Sequence, residues 1–146
     1  MPDLIVSVEL EDDTVGAGDN LHGVAQLSNH GRGRIAFVTG PLLGGICTEH
    51  GTYLAGDFAG PIAPAGIVVE LGAGETRELH VLVGTRSCGP DTVVPPGRYE
   101  TVIRIPITFQ DQDGRPLSHH LLVRPGPLIT IRAPRLPNMK GRAPST

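Results

Sequence analysis

The stretch Val15-Gly16-Ala17-Gly18-Asp19-Asn20 stands directly before an alternating apolar segment at residues 21–27. A close copy, Leu71-Gly72-Ala73-Gly74-Glu75-Thr76, stands before a similar segment at residues 77–83. Glycine pairs followed by an acid favour tight turns, and alternation favours half-buried strands. The two copies share only turn and strand, so they indicate one chain reversal used twice within one domain.

Period-two alternation recurs along the rest of the chain, beginning with Leu4, Val6, Val8 and Leu10. The cleanest example follows Pro95-Pro96-Gly97-Arg98, where one face of the next segment is apolar. That face comprises Tyr99, Thr101, Ile103, Ile105 and Ile107. No segment keeps helical spacing over ten residues. The sequence therefore predicts an all-β protein, an immunoglobulin-like antiparallel β-sandwich of about seven to nine strands without substantial helix.

Composition separates the domain from a tail. The 146 residues suffice for one domain, and 20 Gly and 14 Pro fall mostly between the strands. Residues 133–146 contain three prolines, three bases and no alternation. We predict a sandwich domain at residues 1–132 and a Pro/Arg-rich extended C-terminal tail at 133–146.

The tail has two interpretations. It is either a frayed end or an interaction arm that docks on a neighbouring subunit or another protein. The side chains of such an arm are Arg135, Leu136, Met139, Lys140 and Arg142.

Charge is distributed unevenly, although the net charge is only -3. Residues 1–31 contain six acids and no Lys or Arg, whereas residues 115–146 contain six bases and no acid. Either the two segments solvate one surface, or they form complementary contacts between subunits of a homo-oligomer. The modest charge, the dispersed Arg residues and the scarcity of aromatics argue against nucleic acid as a partner.

Cys47 and Cys88 are the only cysteines. In an up-and-down arrangement both fall at the same end of the sandwich, which permits a disulfide. The lack of a recognisable signal peptide favours two free structural thiols. A nucleophilic role for Cys88 has no support, because its neighbours in sequence provide no base.

The sequence offers little support for a metal site, a calcium loop or a phosphate-binding loop. The six histidines contain no H-x-H pair, and His119 and His120 should point to opposite faces of a strand. Asp111-Gln112-Asp113-Gly114 lacks the later ligands of a calcium loop and is typical of a hairpin turn. Gly40-Pro41-Leu42-Leu43-Gly44-Gly45 lacks the Lys-Ser/Thr ending of a phosphate-binding loop. We expect no metal, no cofactor and no catalytic residues.

The N-terminus lacks a basic start with an uninterrupted apolar run, and no stretch approaches the length of a membrane span. These features predict a cytoplasmic protein without membrane insertion, with a component of a released particle as the other possibility.

The turn-and-strand motifs carry a resemblance. Asp19-Asn20-Leu21-x-Gly23, continuing to Asn29-x-Gly31, resembles the opening of bacterial immunoglobulin-like domains. Leu71-x-x-Gly74-Glu75-Thr76 and Pro95–Tyr99 are similar to late strands of intracellular proteinase-inhibitor-like and arrestin-like sandwiches. The resemblance implies a fold rather than an activity, and it implies that Tyr99 is a corner tyrosine tying a loop to the sheet.

These observations predict a non-catalytic protein-binding or structural module, which could be a subunit of a larger assembly that uses its C-terminal arm. The alternative is a soluble, proteinase-inhibitor-like regulator acting through loops 39–66 or 85–96. A metal-binding carrier or an enzyme ranks third.

Overall fold

The computed structural model describes residues 3–48, 54–62, 66–89 and 93–133. Within these ranges the chain forms eleven strands and no helix, so the all-β prediction is confirmed. The strands are β1 (Leu4–Leu10), β2 (Thr14–Gly16), β3 (Asn20–Asn29), β4 (Ile35–Thr39), β5 (Leu42–Thr48), β6 (Leu54–Asp57), β7 (Ile67–Leu71), β8 (Thr76–Gly84), β9 (Arg86–Ser87), β10 (Gly97–Gln110) and β11 (Pro116–Arg132). This part of the chain has no helix of the length and hydropathy needed to cross a membrane.

The strands form one hydrogen-bonded sheet, whose main path runs β1-β3-β8-β5-β10-β11-β2. β4 pairs with β10 and carries β7, while β6 pairs with β5 and carries β9. β1 also contacts β11, so the sheet curls back on itself as a half-barrel around its core. The sequence predicted antiparallel pairing throughout, but β5 is parallel to β8 and β2 is parallel to β11. Both parallel pairs join strands that are far apart in the chain, as a parallel connection requires.

The core is aliphatic, and β10 shows how alternation builds it. Its residues from Tyr99 to Phe109 are buried at every second position, while those between them are partly or well exposed. The phenylalanine rings of Phe37 and Phe109 meet edge to face, with centroids 6.0 Å apart. The largest fully buried side chains are Phe37, Leu27, Leu42, Ile46, Ile103, Ile105, Ile107, Ile129, Ile131, Val69, Val81 and Val83.

β5 begins earlier than its composition suggests, because it includes Gly44 and Gly45. A Cβ atom at Gly44 would lie 2.5 Å from the Val102 carbonyl oxygen, and one at Gly45 would lie 2.5 Å from the Gly56 carbonyl oxygen. The two glycines therefore allow β10 and β6 to approach β5 closely from either side.

β11 is one strand of 17 residues, where alternation alone suggests two shorter strands. Its register with β10 shifts between Val102, which faces Pro125, and Glu100, which faces Leu128. A β-bulge thus accommodates the intervening segment, and the Thr101 hydroxyl donates to the Pro127 carbonyl oxygen at 2.7 Å. Proline is tolerated here because, among the residues that the structure describes, no strand pairs with this part of β11 on its other side.

The two Gly-Ala-Gly turns adopt the same conformation. Gly18 and Gly74 have φ values of 90° and 80°, in the left-handed region that favours glycine. In each turn the acid's backbone N–H donates to the carbonyl oxygen of the first glycine at 3.0 Å, from Asp19 to Gly16 and from Glu75 to Gly72. The sequence copy therefore corresponds to a structural copy.

Each turn precedes one strand of the β3–β8 pair and forms hydrogen bonds with a residue at the end of the other strand. The first turn, before β3, is held by Thr85 just after β8. The Thr85 hydroxyl accepts from Gly18 N–H at 2.8 Å and donates to the Asp19 carbonyl oxygen at 2.7 Å. The second turn, before β8, is held by Asn29 at the end of β3, whose backbone exchanges hydrogen bonds with Glu75 and Gly74. Hydrogen bonds of the same kind therefore close the β3–β8 ribbon at both ends. We call the bonds around Thr85 and those around Asn29 the two clasps.

Candidate functional site

The hairpin that joins β10 to β11 is shaped by Asp111. Its carboxylate oxygen Oδ1 accepts from the backbone N–H groups of Asp113 at 2.8 Å and Arg115 at 2.9 Å. Gly114 has a φ of 79°, which completes the reversal. This turn fixes the register of β11 against β10, so alternate residues of β11 face opposite sides of the sheet.

One face of the first half of β11 is apolar and uncovered. Leu117, Leu121 and Val123 are 66%, 60% and 51% exposed. The two-residue spacing of Leu121 and Val123 places both on the same side of the strand, whereas Leu117 lies at the register shift opposite Gln110 and lines a groove with Ser118 and His120. Clustered exposed apolar side chains mark interaction surfaces more often than single ones do.

The edge of this half-strand is also free. β11 pairs with β10 on one side, and on the other side β2 pairs only with Thr130, Ile131 and Arg132. Within the described ranges no strand pairs with residues 116–129 on that side, and β1 lies close to Gly126 without pairing with it. Their outward N–H and C=O groups can therefore pair with an added strand, which is how many domains bind extended segments.

Beside the apolar residues lies a shallow groove of about 350 Å³. Its lining comprises Pro41, Leu43, Ile62, Arg104, Pro106 and Leu121. Arg104 forms a half-buried ion pair with Asp57, which also accepts from the backbone N–H of Phe58 at 2.8 Å. The groove thus continues the apolar face of β11 onto β10 and β5. We call residues 116–124 together with this groove the β11 surface.

The β11 surface and the region around β1 carry opposite charge. Arg115, His119, His120 and Arg124 lie in or beside the exposed half of β11, and no acid occurs from residue 115 onward. The acids within and on either side of β1 are all exposed: Asp3, Glu9, Glu11, Asp12 and Asp13. The ion pairs of the described residues, Arg34–Glu70 and Arg104–Asp57, use none of these groups. Their charges are therefore available to a partner.

Tyr99 is buried near the start of β10. Its hydroxyl donates to the Pro95 carbonyl oxygen at 2.6 Å, four residues upstream. Burial raises the pKa of this phenol above its ordinary value. This hydrogen bond joins the loop that precedes β10 to the start of the strand.

Cys47 and Cys88 are both free thiols, the first partly buried and the second exposed. Cys47 lies opposite Leu54 of β6, while the backbone N–H of Cys88 donates to Ala55 on the same strand. β6 therefore runs between β5, which carries Cys47, and the segment at the end of β9 that carries Cys88. Burial raises the pKa of the Cys47 thiol, with smaller contributions from the nearby Glu100 and Cys88.

Several predicted features lie wholly or partly outside the described residues. The proposed arm residues Arg135, Leu136, Met139, Lys140 and Arg142 are among them, as is His50. Much of the proposed loop 39–66 is ordered as β5 and β6, and β9 occupies two residues of the proposed loop 85–96.

The remaining histidines are on the surface. His119 contacts Thr108 at 2.8 Å, whereas the ring of His120 meets the Phe109 ring edge to face on the other side of the hairpin. His22 and His80 face each other across β3 and β8. Among the described residues, no group of three or more His, Cys, Asp or Glu side chains is placed so that it could hold a metal ion together.

The sequence did not identify the β11 surface, although alternation at 117–123 indicated a strand. Period-two spacing shows that one face is apolar but not whether another element covers it. The free edge and the contribution of Ile62 and Leu43 depend on strand order, which the local pattern does not contain.

No family model matches this chain, and no curated protein matches it. Solved structures give weak likenesses. A β-glucosidase from Erythrobacter marinus is 21% identical, with 88% of this chain and 15% of that chain covered and a TM-score of 0.46. An alkylpurine DNA glycosylase from Pseudomonas fluorescens is 13% identical, with coverages of 90% and 31% and a TM-score of 0.47.

A smaller protein is matched over most of its length. The CARDB domain of a Pyrococcus furiosus protein is 15% identical, with 90% of this chain and 89% of that domain covered and a TM-score of 0.43. This chain spans less than a third of both glycosidases. These likenesses concern the β-fold and assign no activity.

Proposed function

We propose that this chain is a non-catalytic protein-binding module of the immunoglobulin-like sandwich type, which binds its partner through the β11 surface. The observation that carries the proposal is the coincidence of a free strand edge with an exposed apolar face. A free strand edge or an exposed apolar face favours aggregation, so proteins usually cover such a feature or interrupt it with charged residues. The combination of the two over the same residues is what an extended segment needs for main-chain pairing and side-chain anchoring.

Strand order supports the sandwich part of the proposal. β1, β3 and β8 are consecutive neighbours, and so are β5, β10 and β11, while the β8–β5 pair joins the two sets into one curled sheet. The contact of β1 with β11 brings the ends of these two sets together around one core. Two layers facing one core are the defining feature of a sandwich.

We further propose that the partner is a second copy of the chain. The exposed acids of residues 3–13 complement the basic β11 surface, so the β11 surface of one copy meets the acidic segment of the next. Such a contact uses two different surfaces and is therefore heterologous, which suits a subunit of a ring or filament. The C-terminal arm, residues 133–146, adds to this contact in the proposal.

Light scattering after size exclusion tests the proposal. We expect the average mass to exceed the 15.4 kDa of one chain at low salt and to fall toward it as salt rises, because screening weakens exposed charge pairs. Leu121→Lys should abolish the excess mass, since a lysine blunts a strand edge. Val68→Lys is the matched control, because Val68 is 57% exposed on β7, away from β11.

Charge reversal tests whether the β11 surface of one copy pairs with the acidic segment of another. Arg124→Glu and Glu9→Lys should each reduce association when studied alone. A mixture of the two variants should associate again, because the reversed β11 surface then meets a reversed acidic segment. A chain that stays monomeric at low salt, or a mixture that shows no recovery, would contradict self-association. Deletion of residues 133–146 without effect would remove the arm from the proposal.

A further inference from the structure

The outer face of the β3–β8 ribbon carries a pair of histidines whose ring nitrogens point at each other. Nδ1 of His22 and Nε2 of His80 are 3.1 Å apart, and both side chains are exposed. The ring centroids are 5.2 Å apart with the planes tilted by 31°. His22 lies opposite Leu82 and His80 lies opposite Val24, so the two are diagonal neighbours on one face.

We propose that His22 and His80 form a surface site for a divalent transition-metal ion, with Cu²⁺ bound more tightly than Zn²⁺. Two imidazole nitrogens, each bound to one metal ion at about 2.0–2.1 Å, are separated by about 2.8–3.4 Å when the angle at the metal lies between about 90° and the tetrahedral angle. The observed separation of 3.1 Å falls within this interval. Imidazole suits these ions, and Cu²⁺ stands above Zn²⁺ in intrinsic affinity.

The scaffold holds both rings with little freedom. β3 and β8 pair continuously from Asn20 and Gly84 to Ser28 and Thr76. The same face is ordered by two further cross-strand contacts, Gln26 to Glu78 at 3.0 Å and Ser28 to Thr76 at 2.8 Å. Ligands placed on adjacent strands are positioned more accurately than ligands on loops.

The surroundings favour a cation. Glu9 and Glu11 line, together with His80, an open cavity of about 450 Å³ between β1 and β3. Glu9 pairs with Val24, which in turn faces His80, and the backbone N–H of Glu11 donates to the His22 carbonyl oxygen at 2.9 Å. Glu78 lies on the same face of β8 as His80. These carboxylates raise the local concentration of cations, while water completes the coordination.

The proton that bridges the two rings must move away from the space between them before a metal ion can bind there. One ring donates the N–H that bridges the pair, and the other accepts it. In the bound state each ring gives a lone pair to the metal, so the bridging proton moves to the other nitrogen of its own ring. Both rings remain neutral imidazoles, and no oxidation or reduction occurs.

Equilibrium dialysis of the untagged protein against CuCl₂ and ZnCl₂ tests this site, carried out in a Cys47→Ser/Cys88→Ser background to remove thiol ligands. We expect one metal ion per chain. His22→Asn and His80→Asn should each weaken binding by more than about tenfold, since loss of even an indirect partner of a metal ligand costs 10–100-fold. His30→Asn is the matched control, because His30 is exposed and remote from the pair.

Two further measurements separate ligation from a structural role. The double variant should also lose the weak single-imidazole binding that either single variant retains, because neither His22 nor His80 then remains on this face of the β3–β8 ribbon. Cu²⁺ should broaden amide NMR signals first around residues 22–24 and 80–82. Undetectable binding in the His-intact background, or binding that survives both substitutions, would overturn the site. The result is independent of the proposed self-association, which Leu121→Lys probes on another surface.

Discussion

The hydroxyl of Thr85 accepts a hydrogen bond from the backbone N–H of Gly18 at 2.8 Å, although 67 positions separate the two residues. At the other end of the ribbon, the backbone of Asn29 bonds Gly74 and Glu75, and its side chain holds the segments on either side of that contact. Its side-chain amide donates to the carbonyl oxygens of Gly33 at 2.7 Å and Leu71 at 3.0 Å, and its Oδ1 accepts from Gly31 N–H at 2.9 Å. Both side chains are fully buried, so their hydrogen bonds are expensive to lose.

Thr85→Val should lower the free energy of unfolding by about 1–3 kcal/mol, because it leaves Gly18 N–H and the Asp19 carbonyl without their partner while preserving the shape. Urea denaturation monitored by circular dichroism measures this loss. Thr130→Val, at an exposed position of β11, should stay within about 0.5 kcal/mol of the parent. Equal effects of the two substitutions would contradict the role of the clasp.

Asn29→Ala should cost about 2–4 kcal/mol, since three side-chain hydrogen bonds are lost in a fully buried site. Because the two clasps lie at opposite ends of the ribbon, the Thr85→Val/Asn29→Ala double variant should lose roughly the sum of the single losses. A large deviation from additivity would mean that the clasps are coupled through the ribbon.

Gly18→Ala and Gly74→Ala should each destabilise the chain by about 1 kcal/mol, because a Cβ atom has space there but not the required φ. Gly33→Ala is the control: a Cβ atom has space there as well, and no left-handed φ is required. It should be neutral or stabilising by up to about 1 kcal/mol. Thermal unfolding compares the three variants, and a Gly33→Ala loss as large as the others would contradict the explanation.

Tyr99 should contribute to alkaline unfolding. Its pKa is raised by burial, so the folded state favours the neutral phenol. The stabilisation is complete below the unfolded pKa of about 10 and is lost as pH rises through the folded pKa. Tyr99→Phe should cost about 1 kcal/mol near neutral pH through the lost bond to Pro95, and should reduce the decline in stability above about pH 10. Urea titrations at several pH values measure both effects, and an unchanged alkaline decline would contradict the prediction.

The cysteines should react unequally. Cys88 is exposed, whereas burial raises the pKa of Cys47 and disfavours its thiolate. We therefore expect iodoacetamide to modify Cys88 first, with slower reaction at Cys47. Intact mass under non-reducing conditions should show two free thiols, and a mass lower by two hydrogens would indicate the alternative disulfide.

Most of the local structure could be predicted from the sequence. The turns before Asn20 and Thr76 and the inward face of β10 follow from glycine chemistry and period-two spacing. The pairing partners could not be read in the same way, because alternation is identical whether a strand lies parallel or antiparallel to its neighbour. The inclusion of Gly44 and Gly45 in β5 could not be predicted either, because it depends on how closely the carbonyl groups of Val102 and Gly56 approach β5.

The candidate site was predictable only in part. The uneven charge between residues 1–31 and 115–146 was visible in the sequence, but the free edge of β11 depends on how short β2 is. The contact of His22 with His80 depends on the β3–β8 register, which brings together residues far apart in the chain.

That register has a consequence for how fast the chain folds. β10 and β11 are joined by a tight turn, whereas β3 and β8 pair across some fifty intervening residues. Neither clasp can form until that long loop is ordered. The entropy lost on loop closure therefore precedes the stabilising contacts between β3 and β8. We expect a high relative contact order, refolding on the millisecond-to-second scale, and a transition state in which the β10–β11 hairpin forms ahead of the β3–β8 ribbon.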